Sequence, residues 1–116
     1  MIDKEELYDA ALEAWGFDFQ LIVAIEECSE LIQAIIKYMR YPRIDMMLKV
    51  KEEIGDVDIM LEQIRRYFDK QQVKQRIGNI DKMKEMKLAR LRERLIENGI
   101  NLENSIEGDK NVKDNN

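Results

Sequence analysis

The only proline of this 116-residue chain, Pro42, separates two long segments whose apolar residues recur every three or four positions. That spacing places the apolar side chains on one face of an α-helix. Proline disfavours helix at the preceding residue, so we expect one helix over residues 18–40 and a second over residues 44–69. A turn this short makes the two helices antiparallel. The expected apolar stripes are Leu21, Ile25, Cys28, Ile32, Ile35 and Met39, and then Met47, Val50, Ile54, Val57, Leu61, Ile64 and Phe68.

Two further helical segments flank this pair. We expect a helix over residues 3–14, ended by Trp15-Gly16-Phe17, and another over residues 72–97, where Gly78 is a possible interruption and Gly99 a stop. The remaining segment from residue 99 to 116 is polar and aperiodic, which predicts a disordered tail. The predicted fold class is therefore all-α: an antiparallel helical bundle of about four helices, in a domain over residues 1–98.

Dimerisation is expected to complete this bundle. A chain of this length buries only roughly two-thirds of the surface that its unfolded form exposes. The helix before Pro42 carries extra apolar side chains away from its main stripe, at Ile22, Val23 and Leu31. Such a helix needs apolar cover on more than one side, which indicates a bundle core or a subunit interface.

Composition excludes several classes of function. The chain has no histidine, which excludes Ser-His-Asp and Cys-His catalysis and the usual histidine-containing zinc sites. A net charge of -5 is unsuited to duplex nucleic acid, which needs a basic surface. The single Cys28 excludes an internal disulfide and is typical of a cytoplasmic protein. No apolar run approaches the ~20 residues that a membrane span requires.

Two acid pairs stand out, one on each side of Pro42. Glu27 with Glu30, and Glu53 with Asp56, are each spaced three residues apart, so each pair lies on one helix face. Glu30 lies twelve residues before Pro42 and Glu53 eleven after it, and since helical residues rise equally the two should lie level. The same reasoning pairs Glu27 with Asp56. Four carboxylates therefore converge.

Carboxylates without histidine or cysteine suit Mg²⁺ or Mn²⁺ rather than zinc. Magnesium commonly completes its coordination with water and substrate phosphates, so such a site predicts phosphate chemistry. A single motif of this kind is usually only a solvated helix face, but two motifs at the same level are harder to explain in that way. Glu26, Glu52 and Asp58 are additional acids at the motif edges.

These motifs resemble the signature of the MazG-like all-α nucleoside triphosphate pyrophosphohydrolases, a superfamily that includes dimeric dUTPases and phosphoribosyl-ATP pyrophosphatases. The signature is Glu-Glu-x-x-Glu followed, after a spacer, by Glu-x-x-Asp. Here it is Glu26-Glu27-Cys28-Ser29-Glu30, then 22 residues, then Glu53-Ile54-Gly55-Asp56. The resemblance covers residues 15 to 95, and this chain lacks the second set of acidic motifs of the dimeric dUTPases.

The resemblance implies a catalytic magnesium site, with Mn²⁺ as a substitute, whose ligands are Glu27, Glu30, Glu53 and Asp56. It implies cleavage of a nucleoside triphosphate into a nucleoside monophosphate and pyrophosphate. Relatives often carry a downstream Lys-x-x-Arg, which Lys87 and Arg90 resemble, so these residues would hold the phosphate tail. Relatives are homodimers or dimers of dimers with sites near the subunit interface.

Other assignments are open at this stage. The substrate base could stack on Trp15, Phe17 or Tyr38, although each is more often a core or interface packing residue. The near-heptad stripes and the many lysine and glutamate residues also suit a non-catalytic helical interaction protein. Within the superfamily, phosphoribosyl-ATP or dUTP is an alternative substrate. The expected partners are a nucleotide and a second copy of the chain, without duplex nucleic acid or membrane.

Overall fold

The computed structural model describes residues 1–71 and 79–102, and every regular element in those ranges is an α-helix. The chain forms two compact units, residues 1–72 and 73–116, and among the described residues the first contains three helices and the second contains one. This confirms the predicted all-α class. The helices are α1 (Lys4–Trp15), α2 (Phe17–Arg40), α3 (Ile44–Lys70) and α4 (Ile80–Glu97).

The predicted starts and ends of the first three helices agree with the structure. Asp3 caps α1, because its side chain accepts hydrogen bonds from the backbone N–H groups of Glu5 and Glu6 at 3.1 and 3.3 Å. Gly16 ends α1 with φ +83°, a conformation that glycine adopts without strain. Pro42 lies in the short turn between α2 and α3, so these helices form an antiparallel hairpin.

The faces of α2 and α3 that are turned inward are only partly those that periodicity predicts. On α2 the buried side chains are Gln20, Ala24 and Ala34, whereas Ile25 and Ile32 of the predicted stripe are 66% and 58% exposed. The predicted stripe of α2 was therefore wrong by about one residue. Small alanine side chains let two helix backbones approach closely, which the bulkier isoleucine face does not.

On α3 the prediction was correct in part. Val57 of the expected stripe is buried, together with Met60 and Glu53, which were not in it. Ile54 and Leu61 of the stripe are 44% and 51% exposed. Compared with the expected stripe, the buried face of α3 is rotated toward the acidic motif. This rotation places the Glu53 side chain inside the hairpin.

An aromatic cluster joins the start of α2 to the end of α3. The Phe17 and Tyr67 rings are stacked with centroids 3.6 Å apart and an interplanar angle of 15°. Phe68 meets Phe17 edge-on at 5.2 Å and Tyr67 at 5.8 Å. Aromatic pairs in these arrangements are worth about 0.5–1.5 kcal/mol beyond the burial of their area. The cluster closes the open end of the hairpin.

Ion pairs fasten α1 to the same end of α3. Arg66 donates two hydrogen bonds of 2.9 Å to the two carboxylate oxygens of Asp9, and Lys70 lies 3.5 Å from one of them. Tyr8 donates a hydrogen bond to Glu62. A bidentate arginine–carboxylate pair fixes orientation as well as distance. It therefore sets the position of α1 against α3.

The second unit contains α4, which has a defined cap at each end. The Asn79 side chain accepts a hydrogen bond of 2.9 Å from Lys82 N–H at the start. At the end Gly99 has φ +86°, and the N–H groups of Gly99 and Ile100 bond to the carbonyls of Ile96 and Leu95 at 3.0 Å. This is a Schellman ending, so the predicted stop at Gly99 is confirmed.

Parts of two predictions lie outside the described residues: the first turns of the expected 72–97 helix, including Gly78, and the tail from residue 103 onward. Within the described part of the chain, no helix has the length and apolar character needed to cross a bilayer.

The ion pair of Asp9 makes a testable contribution to stability. Hydrogen bonds from Arg66 lower the pKa of Asp9 from 3.8 to about 2. Because the pKa of Asp9 is lowered, the Asp9–Arg66 pair stabilises the fold at pH values above 3.8. This stabilisation is lost as the pH falls toward 2. Asp9→Asn should lower the melting temperature at pH 6, and the difference from wild type should shrink below pH 4. Asp58→Asn, at an exposed aspartate of α3, is the control; a difference that is constant with pH would contradict the assignment.

Candidate metal centre

The four carboxylates singled out by the sequence lie together in the structure. Glu27, Glu30, Glu53 and Asp56 each offer one oxygen, and these four oxygens lie within 4.8 Å of one another. The predicted convergence is therefore confirmed as geometry. The register of the hairpin explains it, because α2 supplies two of the side chains and α3 supplies the two that are level with them.

Glu53 is the buried member of this group, which we call the acidic cluster. Its side chain is only 3% exposed, and its Oε1 forms an ion pair with Lys49 Nζ at 2.9 Å. Its Oε2 is buried and has no hydrogen-bond partner among the described residues. Burying a charged oxygen without a partner costs free energy. A cation or a hydrogen-bond donor beside Glu53 Oε2 would remove this cost.

Glu27 is the second member with an unsatisfied oxygen. Its Oε2 is buried and, like that of Glu53, has no partner among the residues that the structure describes. Burial raises the pKa of Glu27 above 4.5, and the charges of Glu30, Asp56 and Glu53 raise it further. Each cause disfavours the ionised carboxylate. Without a cation, Glu27 therefore binds a proton more readily than an isolated glutamate does.

Lys49 is a neighbour of the acidic cluster that sequence reasoning missed. Its Nζ lies 2.9 Å from Glu53 and 3.7 Å from Glu52. These contacts, led by the hydrogen bond to Glu53, raise the pKa of Lys49, so the side chain is held as a cation. The signal was present in the sequence, since residues 49 and 53 are spaced i, i+4 on one helix.

The residues present fit a hard divalent cation. Four carboxylates lie close together, and the positive charge of Lys49, which contacts Glu53, compensates only part of their charge. Oxygen donors in this number suit Mg²⁺ or Mn²⁺. The two orphaned buried oxygens distinguish this cluster from the exposed acidic patches that are common on helices. Binding of a cation remains a prediction.

The other acids at the motif edges have different surroundings. Glu26 and Asp58 are exposed, and Glu52 contacts Lys49. Lys49 thus forms ion pairs with both Glu52 and Glu53.

The basic pair predicted to hold phosphate lies in the second unit. Lys87 and Arg90 are exposed on α4, three residues apart, so they share one helix face. Their role in phosphate binding stays a prediction.

The three aromatic candidates for base stacking have separate environments. Phe17 is stacked on Tyr67 and so belongs to the aromatic cluster of the fold. Trp15 is 63% exposed, with its ring centroid 6.1 Å from that of Phe19. Tyr38 is 38% exposed on α2. Trp15 and Tyr38 therefore keep ring surface available, and their contact with substrate is still a prediction.

Comparison of the chain with models of known protein families, with curated proteins and with solved structures finds no match. The resemblance to MazG-like enzymes therefore depends on the motif residues of the sequence alone.

The raised pKa of Glu27 predicts how the metal-free protein responds to pH. Because its pKa is raised in the folded protein, the contribution of Glu27 to stability is fully present below pH 4.5. This contribution is lost as the pH rises through the pKa that Glu27 has in the folded state. With a chelator present, Glu27→Gln should raise the melting temperature at pH 7 and leave it unchanged near pH 4. The exposed Glu13 supplies the control, Glu13→Gln; equal effects of both substitutions at pH 7 would rule out this electrostatic origin.

Proposed function

We propose that this protein is a magnesium-dependent nucleoside triphosphate pyrophosphohydrolase, which releases pyrophosphate and a nucleoside monophosphate. One observation supports this above all: the four carboxylates of the two MazG-like motifs each place one oxygen within 4.8 Å of the others, and two carboxylate oxygens, on Glu27 and Glu53, are buried with no hydrogen-bond partner among the described residues. Manganese is the expected substitute for magnesium. The single Cys28 is a free thiol, which suits a reducing cytoplasm.

The side chains would divide the work between binding and orientation. Glu53 is buried, one of its oxygens is held by Lys49, and the other is buried without a hydrogen-bond partner among the described residues. Glu27, Glu30 and Asp56 supply the remaining ligand oxygens. A hard cation bound there supplies charge neutralisation for the triphosphate and a more acidic water. Lys87 and Arg90 are the proposed contacts to the phosphate tail.

Pyrophosphate release tests the proposal directly. With Mg²⁺, the purified protein should release pyrophosphate from at least one member of a panel of canonical and modified nucleoside triphosphates. Glu53→Gln should abolish this release, because the variant loses the buried ligand charge. The helical circular dichroism spectrum should be retained, and Glu13→Gln on α1 should leave activity unchanged. Activity that survives Glu53→Gln would show that the site is elsewhere.

The main rival is a non-catalytic helical interaction protein, and metal titration separates the two. A ligand that binds only the native state stabilises it by about 2.7 kcal/mol at a hundred times its dissociation constant. Mg²⁺ or Mn²⁺ should therefore raise the melting temperature of the wild type and not that of Glu53→Gln. A titration without effect on the wild type favours the rival. Activity on phosphoribosyl-ATP or dUTP alone would favour the superfamily alternatives.

We also propose that two copies of the chain associate through the outward face of α2. Only four apolar residues are buried among those described: Ala24, Ala34, Val57 and Met60. Ile25, Ile32 and Met39 are spaced seven residues apart, so they form one stripe, and they are 66%, 58% and 76% exposed. Covering apolar area contributes about 25 cal/mol per Å². A dimer, or a dimer of dimers, would bury this stripe.

Ile32→Glu tests the proposed dimer. Light scattering should show a dimer or larger assembly for the wild type and a smaller species for this variant, because the interface would bury an unpaired charge. Gln33→Glu introduces the same charge at the neighbouring exposed position and should leave the assembly intact. A monomeric wild type would contradict the proposal.

A further inference from the structure

Lys49 lies at the edge of the acidic cluster, about one helical turn before Glu53 on α3. Its Nζ is 2.9 Å from Glu53 Oε1 and 3.7 Å from an oxygen of Glu52. The Lys49 side chain is 53% exposed, whereas the Glu53 side chain is 3% exposed. An exposed lysine therefore reaches a carboxylate that is almost completely closed off from solvent.

The two oxygens of the Glu53 carboxylate have different surroundings. Oε1 is paired with Lys49, and Oε2 is buried with no hydrogen-bond partner among the described residues. A cation that binds Oε2 removes the cost of an unsatisfied buried oxygen and displaces nothing. A cation that binds both oxygens must first separate Oε1 from the lysine. The contact with Lys49 therefore leaves Oε2 as the available ligand atom of Glu53.

The order of the two residues along α3 indicates that the contact is not chiefly a helix-stabilising pair. Glutamate four residues before lysine stabilises an isolated helix better than the reverse order. Here Lys49 precedes Glu53, which is the less favourable order. The main effect of the contact is therefore on the carboxylate of Glu53 and not on α3 as a helix.

Glu52 gives Lys49 a second negative partner outside the acidic cluster. Glu52 is exposed and is not one of the four carboxylates that converge. A cation bound at Glu53 Oε2 adds positive charge beside Lys49, and the Glu52 carboxylate offsets part of the resulting repulsion. Lys49 can thus keep its contact with Oε1 when the acidic cluster holds a cation.

Whether a carboxylate binds through one oxygen or two discriminates between magnesium and calcium. Mg²⁺ requires near-ideal octahedral geometry at about 2.0–2.1 Å and usually keeps several waters. Ca²⁺ takes roughly six to eight oxygens at about 2.3–2.6 Å, often from a carboxylate that binds through both oxygens. A buried glutamate whose second oxygen is held by a lysine suits the smaller ion, because it supplies one ligand atom and not two.

We propose that Lys49 is a positioning residue that makes Glu53 a one-oxygen ligand and thereby favours Mg²⁺ over Ca²⁺ at the acidic cluster. This inference rests on the proposed function, because it concerns the cation of the same site. Lys49 acts through Glu53 and contacts neither the substrate nor the reacting water. It determines which divalent cation the four carboxylates select.

Calorimetric titration of the metal-free protein with Mg²⁺ and with Ca²⁺ tests this role. The wild type should bind Mg²⁺ more tightly than Ca²⁺. Lys49→Met keeps the apolar stem and removes the ammonium group, so both oxygens of Glu53 become available. The ratio of the Ca²⁺ dissociation constant to the Mg²⁺ dissociation constant should then fall about tenfold. Lys49→Arg, which keeps a positively charged donor at this position, should retain most of the wild-type ratio.

Lys51→Met is the matched control, because it removes the same charge from an exposed position of α3. Loss of one positive charge strengthens the binding of both cations alike, so only the ratio reports on the number of ligand oxygens. Lys51→Met should leave this ratio unchanged. The inference is wrong if Lys49→Met changes both affinities equally or changes neither. It is also wrong if the wild type prefers Ca²⁺ or binds neither cation.

Thermal melting in the presence of each cation is the second measurement, and it includes a Lys49→Met protein that is less stable without metal. A cation that binds the native state raises the melting temperature, so the two cations can be ranked in each variant. Pyrophosphate release is measured separately. If the ratio falls and no triphosphate is hydrolysed, the role of Lys49 stands and the proposed function fails. If hydrolysis occurs and the ratio is unchanged, the proposed function stands and the role of Lys49 is wrong.

Discussion

The close contact between α2 and α3 is the constraint on which the rest of the structure depends. Alanines at positions 24 and 34 form much of the inward face of α2, so the two backbones approach closely. The approach turns Glu53 inward and brings the oxygens of both acidic motifs within 4.8 Å. Larger side chains on this face would separate the helices and the carboxylates together. Packing and site geometry are thus one property of the hairpin.

The electrostatic cost of this arrangement is concentrated in a few atoms. Burial and neighbouring carboxylates raise the pKa of Glu27, and Lys49 offsets part of the charge at Glu53. Buried groups that oppose folding are typical of functional sites, where the native structure tolerates a local penalty that a ligand removes. The aromatic cluster and the Asp9–Arg66 pair lie at the other end of the hairpin, and they stabilise it there.

Backbone preferences and residue spacing were sufficient to predict much of the fold and which four residues form the acidic cluster. The helix ends at Gly16, Pro42 and Gly99 follow from backbone preferences, which act within a few residues. The level pairing of the two acidic motifs follows from counting residues away from one turn, because all helical residues rise by the same distance. Neither prediction requires knowing which helix faces pack against each other.

By itself, the sequence determined the helices, their antiparallel pairing and which acids share a level. Only the tertiary structure decided that Ala24 rather than Ile25 is buried, that Glu53 is buried, and that Gln20 and Gln63 line one cavity. The physical reason is that α2 is apolar on several sides, so more than one of its faces could pack against a neighbouring helix. Choosing among them depends on how well two surfaces fit, which is a property of neither helix alone.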